Sequence, residues 1–485
     1  MCRSRPPLAF ALSLALSATA ASLADPKFIS SQIHASASEV IFGEFGGEHL
    51  KDLVLWHGTN LWLSVQEAKG VFAAEPRLIY HADKPCVFWP ARFGRETESF
   101  LVLDQEGIKE LWLTNRTGKP LTRQVLQART VLPDKGMSAL MNLRLSLGTG
   151  GDWPLLLVPT KDGLQVWQHQ AQQWFRKQTL ESALAADVFP SVRTLAYTRQ
   201  FGFQFSAFDI NHDGREDLMV CRPRPAGAVY EFYLQEADGT LRLQQSFAGM
   251  DRPDWQNWLC WLDINHDGQL DLIKSTWPDE PWFIPGSRAG KVFVSIYLAD
   301  EQGRLPAQPQ QVLRKNDWNP ALPVVDVDGD GFPDLILSYG QFDSRDAVRK
   351  MISTRRMDLA LKLFYYRPGS GFASEGDAQR MISFHIDIQG IEMNLGKPPE
   401  LQRFVELTGD FNGDGKKDLL VKERYDELVA YFFVSREKGF SDHPDLRFNC
   451  GEPIDAFTTA DLNGDGISDV IVKLRQGLRV FMSTK

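Results

Sequence analysis

The segment Asp410-Phe411-Asn412-Gly413-Asp414-Gly415-Lys416-Lys417-Asp418-Leu419 has four gap-free counterparts along the chain. They are DINHDGREDL from Asp209, DINHDGQLDL from Asp263, DVDGDGFPDL from Asp326 and DLNGDGISDV from Asp461. The shared pattern is D-x-[DN]-x-D-G-x-x-D-[LV]. Each copy leads into a short apolar run, such as Leu218-Met219-Val220, Leu335-Ile336-Leu337, Leu419-Leu420-Val421 or Val470-Ile471-Val472, which reads as a strand.

The spacing carries a chemistry. Calcium takes six to eight oxygen ligands at roughly 2.3–2.6 Å. Oxygen-bearing side chains at positions 1, 3 and 5 of a tight loop can converge on one point, and glycine at position 6 permits the sharp turn. A carbonyl at position 7 and the carboxylate at position 9 would complete the shell. For the first loop these are Asp209, Asn211, Asp213, the Arg215 carbonyl and Asp217. An EF-hand needs a bidentate Glu at position 12 and an exit helix. Here position 12 is Val220, Lys274, Leu337, Val421 and Val472, and the exits are strand-like. Dockerin-type modules share the short loop but carry it as a close pair on helices. A metal-free Asp/Asn/Gly turn explains one copy more readily than five that all keep an oxygen donor at positions 1, 3, 5 and 9.

Three degenerate units precede the five. Glu44 to Leu53 aligns in phase but lacks the glycine at position 6. Arg92 to Phe100 and Ser146 to Pro154 keep the flanking strands and have lost the ligands. The position-9 equivalents fall at residues 52, 100, 154, 217, 271, 334, 418 and 469. Such intervals suit a four-stranded antiparallel blade with insertions, so the expected fold is all-β: a β-propeller of eight blades, with seven as the alternative. The last unit ends after its third strand, and Phe28 to Ile33 form a strand-like piece ahead of the first loop. The N-terminus is therefore expected to supply the outer strand of the last blade and close the ring.

These loops resemble the FG-GAP/VCBS repeats, the calcium-binding propeller repeats of integrin α subunits and many exported bacterial proteins. The resemblance covers the chain from residue 25 onward. It implies that each loop joins the innermost and second strands of its blade. It also implies five Ca²⁺ sites with Asp209, Asn211, Asp213 and Asp217; Asp263, Asn265, Asp267 and Asp271; Asp326, Asp328, Asp330 and Asp334; Asp410, Asn412, Asp414 and Asp418; and Asp461, Asn463, Asp465 and Asp469 as ligands. Integrin propellers have seven blades, which departs from the count of eight.

Residues 1–24 read as a signal peptide: Arg3 and Arg5, an apolar run from Leu8 to Leu16, then small residues. Export to the periplasm, the exterior or the cell surface follows, with residues 25–485 as a single propeller domain. No later stretch approaches the ~18 apolar residues of a membrane span. The net charge of −9 becomes −11 once Arg3 and Arg5 are gone, which argues against a nucleic-acid partner. Five Ca²⁺ ions would bring −11 to about −1. Cys86, Cys221, Cys260 and Cys450 remain, at spacings that match no disulfide scaffold.

With the calcium loops between strands one and two, the connections from strand two to strand three lie at the opposite end. Long insertions are expected there: Cys221 to Pro225, Ser275 to Lys291, and Tyr339 to about Leu361. The last is basic, with Arg345, Arg349, Lys350, Arg355 and Arg356 in an otherwise acidic protein. Trp255, Trp258, Trp261, Trp277 and Trp282 are dense nearby and are read as packing residues rather than sugar platforms. No P-loop, G-x-S-x-G or H-E-x-x-H occurs, and no catalytic residues or organic cofactor are assigned. The expected role is a binding or scaffolding module for a protein or polysaccharide, with structural Ca²⁺. A carbohydrate-active enzyme, similar to the polysaccharide lyases built on eight-bladed propellers, and a purely structural subunit are the alternatives.

Overall fold

In the computed structural model, the described residues are 27–37, 39–45, 50–67, 70–84, 86–91, 98–115, 118–130, 145–151, 153–181, 204–224, 227–248, 255–278, 291–316, 318–319, 324–339, 349–350, 353–386 and 404–484. They form eight four-stranded antiparallel sheets, the blades of an eight-bladed β-propeller, plus two small two-stranded sheets. Helix among the described residues is confined to residues 349–350 and 353–354. None is long and apolar enough to cross a membrane. The segment 1–24 lies outside the described residues.

Blade 1 is Glu39–Gly43, Asp52–His57, Asn60–Ser64 and Arg77–His81. Blade 2 runs from Val87–Ala91 to Pro120–Gln127, and blade 3 from Ser146–Leu147 to Gln173–Leu180. Blade 4 runs from Gln204–Phe208 to Leu241–Ala248, and blade 5 from Trp255–Leu262 to Gln311–Asn316. Blade 6 runs from Trp318–Asn319 to Ala378–His385, and blade 7 from Val405–Glu406 to Leu446–Asn449. Blade 8 is Ile454–Ala460, Asp469–Leu474 and Gly477–Thr484, completed by Lys27–Ile33. That last pairing runs in register from Lys27 opposite Thr484 to Ile33 opposite Leu478, so the N-terminal strand does close the ring.

The second strands read as near-continuous apolar runs because both their faces are covered by neighbouring blades. Leu53 to Trp56, Phe100 to Leu103 and Leu155 to Val158 are all buried. Outer strands are more exposed instead, and Leu78, Leu121, Phe175, Leu243, Val312 and Met381 face outward from six successive ones. The core is accordingly a series of clusters between blades. Ile33, Leu53, Leu55, Leu462, Ile471 and Leu478 form the one that joins blade 8 to blade 1. Trp258 and Trp277 pack on the cluster between blades 5 and 6, and Trp261 packs between blades 4 and 5. These tryptophans are packing residues, as expected. Trp282 and the Trp255 side chain lie outside the described residues. Cys260 and Cys450 are free thiols, and Cys86 is buried.

One expectation is corrected. Cys221 to Pro225 is not an inserted loop: Asp217–Arg224 continues as a strand and pairs from Arg224 to Gly227 with Gly227–Gln235. The connection between them is residues 225–226. Equally tight hairpins join the same two strands in blades 1, 2, 3, 7 and 8. Only blades 5 and 6 carry long connections here, at 279–290 and 340–355, and most of both lies outside the described residues.

Candidate metal centres

All five full loops join the first strand of a blade to its second, at blades 4 to 8. Their backbones share one conformation, in which positions 4 and 6 are both left-handed. Position 6 is glycine throughout, with φ of +81° at Gly214, +85° at Gly268, +94° at Gly331 and +84° at Gly415 and Gly466. Position 4 is Gly329, Gly413 or Gly464 in three loops. His212 (φ +55°) and His266 (φ +58°) hold the same conformation in the other two. Both imidazoles are exposed, as the outward position requires.

Position 1 organises the turn. The two carboxylate oxygens of Asp410 accept the N–H groups of Gly413 (2.7 Å) and Gly415 (2.8 Å), and Asp326 and Asp461 do the same in their loops. Asp209 and Asp263 accept from positions 5 and 6. The position-3 oxygen accepts the N–H of position 5, and the position-5 Oδ1 that of position 7. Each oxygen engaged by a loop N–H keeps a further lone pair that a cation could use. In blade 6, ligand atoms of Asp326, Asp328 and Asp334 lie within 4.8 Å of one another. This all-oxygen donor set on a pre-turned backbone fits a hard divalent ion such as Ca²⁺.

Position 9 has a second role that the sequence pattern did not disclose. Asp217, Asp271, Asp334, Asp418 and Asp469 are at most 1% exposed. In each, Oδ2 accepts the N–H of position 2, at 2.7–2.9 Å. Oδ1 accepts a backbone N–H at the end of the third strand: Gln235, Ala299, Tyr366, Phe433 or Ser483. The carboxylate therefore bolts the loop to the blade. Asp52 makes the same bond to the Gln66 N–H (3.0 Å) in blade 1, whose loop lacks the glycine at position 6, so the brace does not require the full motif.

The electrostatics are unfavourable without a cation. Burial is the largest influence on these carboxyls. It pushes Asp217, Asp271 and Asp469 up to about 6 and Asp334 and Asp418 up to about 7, against the pull of their backbone hydrogen bonds. Neighbouring loop carboxylates push the same way. A divalent ion would offset both.

The loops also touch one another around the ring. The Glu216 N–H donates to the Gly148 carbonyl (2.9 Å), Lys417 to Val327 (2.9 Å) and Ser468 to Asp410 (2.7 Å). His266 lies 4.8 Å from the Phe332 ring of the next loop. Lys51 of blade 1 donates to the Asp461 carbonyl at 2.7 Å, carrying the belt across the closure.

A family model of FG-GAP-like repeats matches residues 209–273 and 410–472, the spans that hold the loops of blades 4 and 5 and of blades 7 and 8. The chain is an FG-GAP-repeat β-propeller. Among solved structures, this FG-GAP propeller is similar to the Agrocybe aegerita lectin solved for its specific recognition of non-reducing terminal N-acetylglucosamine. The TM-score is 0.42 and the identity 13%, over 78% of this chain and 97% of the lectin. It is also similar to BBS1N, solved in complex with ARL6DN, at a TM-score of 0.39 and 9% identity over 95% of this chain and 98% of that one. No curated protein matches the sequence significantly.

At the opposite end of the blades, the basic segment is partly committed to structure. Arg356 donates to Ser383 and to the Glu423 carbonyl, and Lys350 pairs with Asp358 at 3.3 Å. Arg345 lies outside the described residues.

Proposed function

We propose that this FG-GAP propeller is an exported protein, periplasmic, extracellular or surface-associated, stabilised by Ca²⁺ in five loops and serving as a binding or scaffolding module. The observation that supports the calcium reading is the shared backbone of those loops. Each spends two left-handed positions on a turn that carries three or four carboxylates, and in blade 6 ligand atoms of three of them lie within 4.8 Å of one another. The partner, a protein or a polysaccharide, would meet the end of the propeller where blades 5 and 6 carry their long connections. The same two strands are joined by tight hairpins in the other six blades, so the extra chain at that end belongs to blades 5 and 6.

The test shortens residues 340–355 to Asn-Gly, which leaves a short connection through residues 356–359 between the paired Tyr339 and Ala360. Wild type and variant are then compared on a glycan array and against the surface proteins of the source cell, in calcium. The expected result is a wild-type ligand whose binding the variant loses while its melting temperature is kept. Equal binding by the variant would move the partner site elsewhere and overturn the assignment.

A further inference from the structure

The blade 6 loop differs from the other four at position 3. In blades 4, 5 and 8 that residue is Asn, and its Nδ2 donates to the position-5 carboxylate: Asn211 to Asp213 (2.9 Å), Asn265 to Asp267 (2.9 Å) and Asn463 to Asp465 (3.2 Å). Blade 7 also has Asn, at Asn412. Blade 6 has Asp328, which cannot donate and adds a fourth carboxylate to a set of three.

The missing donor and the missing positive charge both arrive from the next blade. Arg436 lies between the two strands of the small hairpin Phe433–Ser435 and Gly439–Phe440 of blade 7. Its Nε donates to Asp328 Oδ2 and its Nη2 to Asp330 Oδ2. The Oδ1 atoms of these two residues already accept the loop's own N–H groups, from Asp330 and Phe332. The guanidinium therefore sits on the oxygens a metal would need. It is placed there by the Tyr365 ring beneath it, 5.4 Å from ring centroid to guanidinium carbon. Arg215 is not equivalent: it belongs to its own loop and meets one carboxylate, Asp213.

We infer that Arg436 is a resident cation of the blade 6 loop, latching blade 7 to blade 6 and competing with Ca²⁺, so that this loop binds the metal least tightly of the five. The inference rests on the calcium reading above. One guanidinium balances the one extra carboxylate, so the ligand side chains together with Arg436 carry the same charge as the three ligand aspartates of each other loop. Calcium entering here must displace a fork on two carboxylates, whereas elsewhere a basic side chain meets at most one, Arg215 on Asp213 in blade 4 and Lys416 beside Asp414 in blade 7.

Calcium titrations of the chelated full chain by calorimetry, as wild type, R436Q and R436K, test this. R436Q is expected to tighten one class of site roughly tenfold and leave the rest unchanged. R436K, which keeps the charge but not the fork, should fall between. R436Q should also melt lower than wild type in chelator and recover in calcium. Identical, non-zero isotherms for wild type and R436Q would overturn the inference and leave the calcium reading standing. Loss of a site in R436Q would overturn it too, by making Arg436 a support for the ligands. No binding heat in any protein would overturn the calcium reading, and this inference with it.

Discussion

The N–H of Phe433, just past the third strand of blade 7, donates to Oδ1 of Asp418 at 2.9 Å, while Oδ2 of the same carboxylate takes the N–H of Phe411 at 2.8 Å. One buried side chain thus holds the loop, its exit strand and the next-but-one segment in register. Asp414 in the same loop is exposed and bonds only within the turn. On the proposed calcium reading, the two aspartates of one motif should therefore differ in their dependence on metal.

Asp418→Asn puts an amide N–H₂ where a carboxylate oxygen faced a backbone donor. It should cost about 1–3 kcal/mol of stability with or without calcium. Asp414→Asn should cost stability only in calcium and be neutral or slightly stabilising in chelator, where it removes a repelling charge. Urea unfolding of both variants in the two conditions checks this; equal calcium dependence of the two losses would contradict it.

A second tie runs between the outer parts of adjacent blades. Gln245 of blade 4 donates to the Leu305 carbonyl (3.2 Å) and accepts the Leu305 N–H (3.0 Å) in blade 5. Gln178 does the same to Leu241, and Gln311 to Phe372. Gln245→Ala leaves two backbone groups to water and should cost about 1 kcal/mol, while Gln245→Glu, which loses the donor, should cost at least as much. Thermal melts of the two variants give the answer, and no change in either would dismiss the tie as incidental.

The pH dependence of the metal-free chain follows from the position-9 carboxyls. Their folded values, about 6 to about 7, lie above the ordinary 3.8. The folded state therefore holds extra protons across that window, and stability in chelator should fall as the pH rises from about 4 through about 7. Calcium favours the ionised forms and should flatten or reverse the slope. Urea midpoints at about pH 5.5 and about pH 8 measure this. A chelator midpoint that rises toward pH 8 would contradict it.

Much of this was legible because one motif repeats. The loops from Asp209 to Asp469 mark the first-to-second strand corner of each blade. Their spacing counts eight units, and the strand before Glu39 has one vacant edge to fill. What stayed hidden lies in pairs about sixty residues apart or more, such as Gln245 with Leu305, or Arg436 with Asp328 across 108 positions. A side chain that bonds the backbone leaves no complementary residue to read at the other end. Asp418 is a different case: the residue was found, but a carboxylate that could be a ligand gave no sign that it was also a bolt. The supposed insertion at Cys221 to Pro225 misled because two prolines and two arginines look like a loop, while the strand simply extends to Arg224 before turning.

The central claim is that calcium holds the ring together, and thermal unfolding of the purified chain in millimolar calcium and in excess chelator tests it most directly. A ligand at a hundredfold excess over its dissociation constant contributes about 2.7 kcal/mol per site, so the melting temperature should drop by several degrees or more in chelator and return when calcium is restored. Superimposable melts in the two conditions would contradict the account.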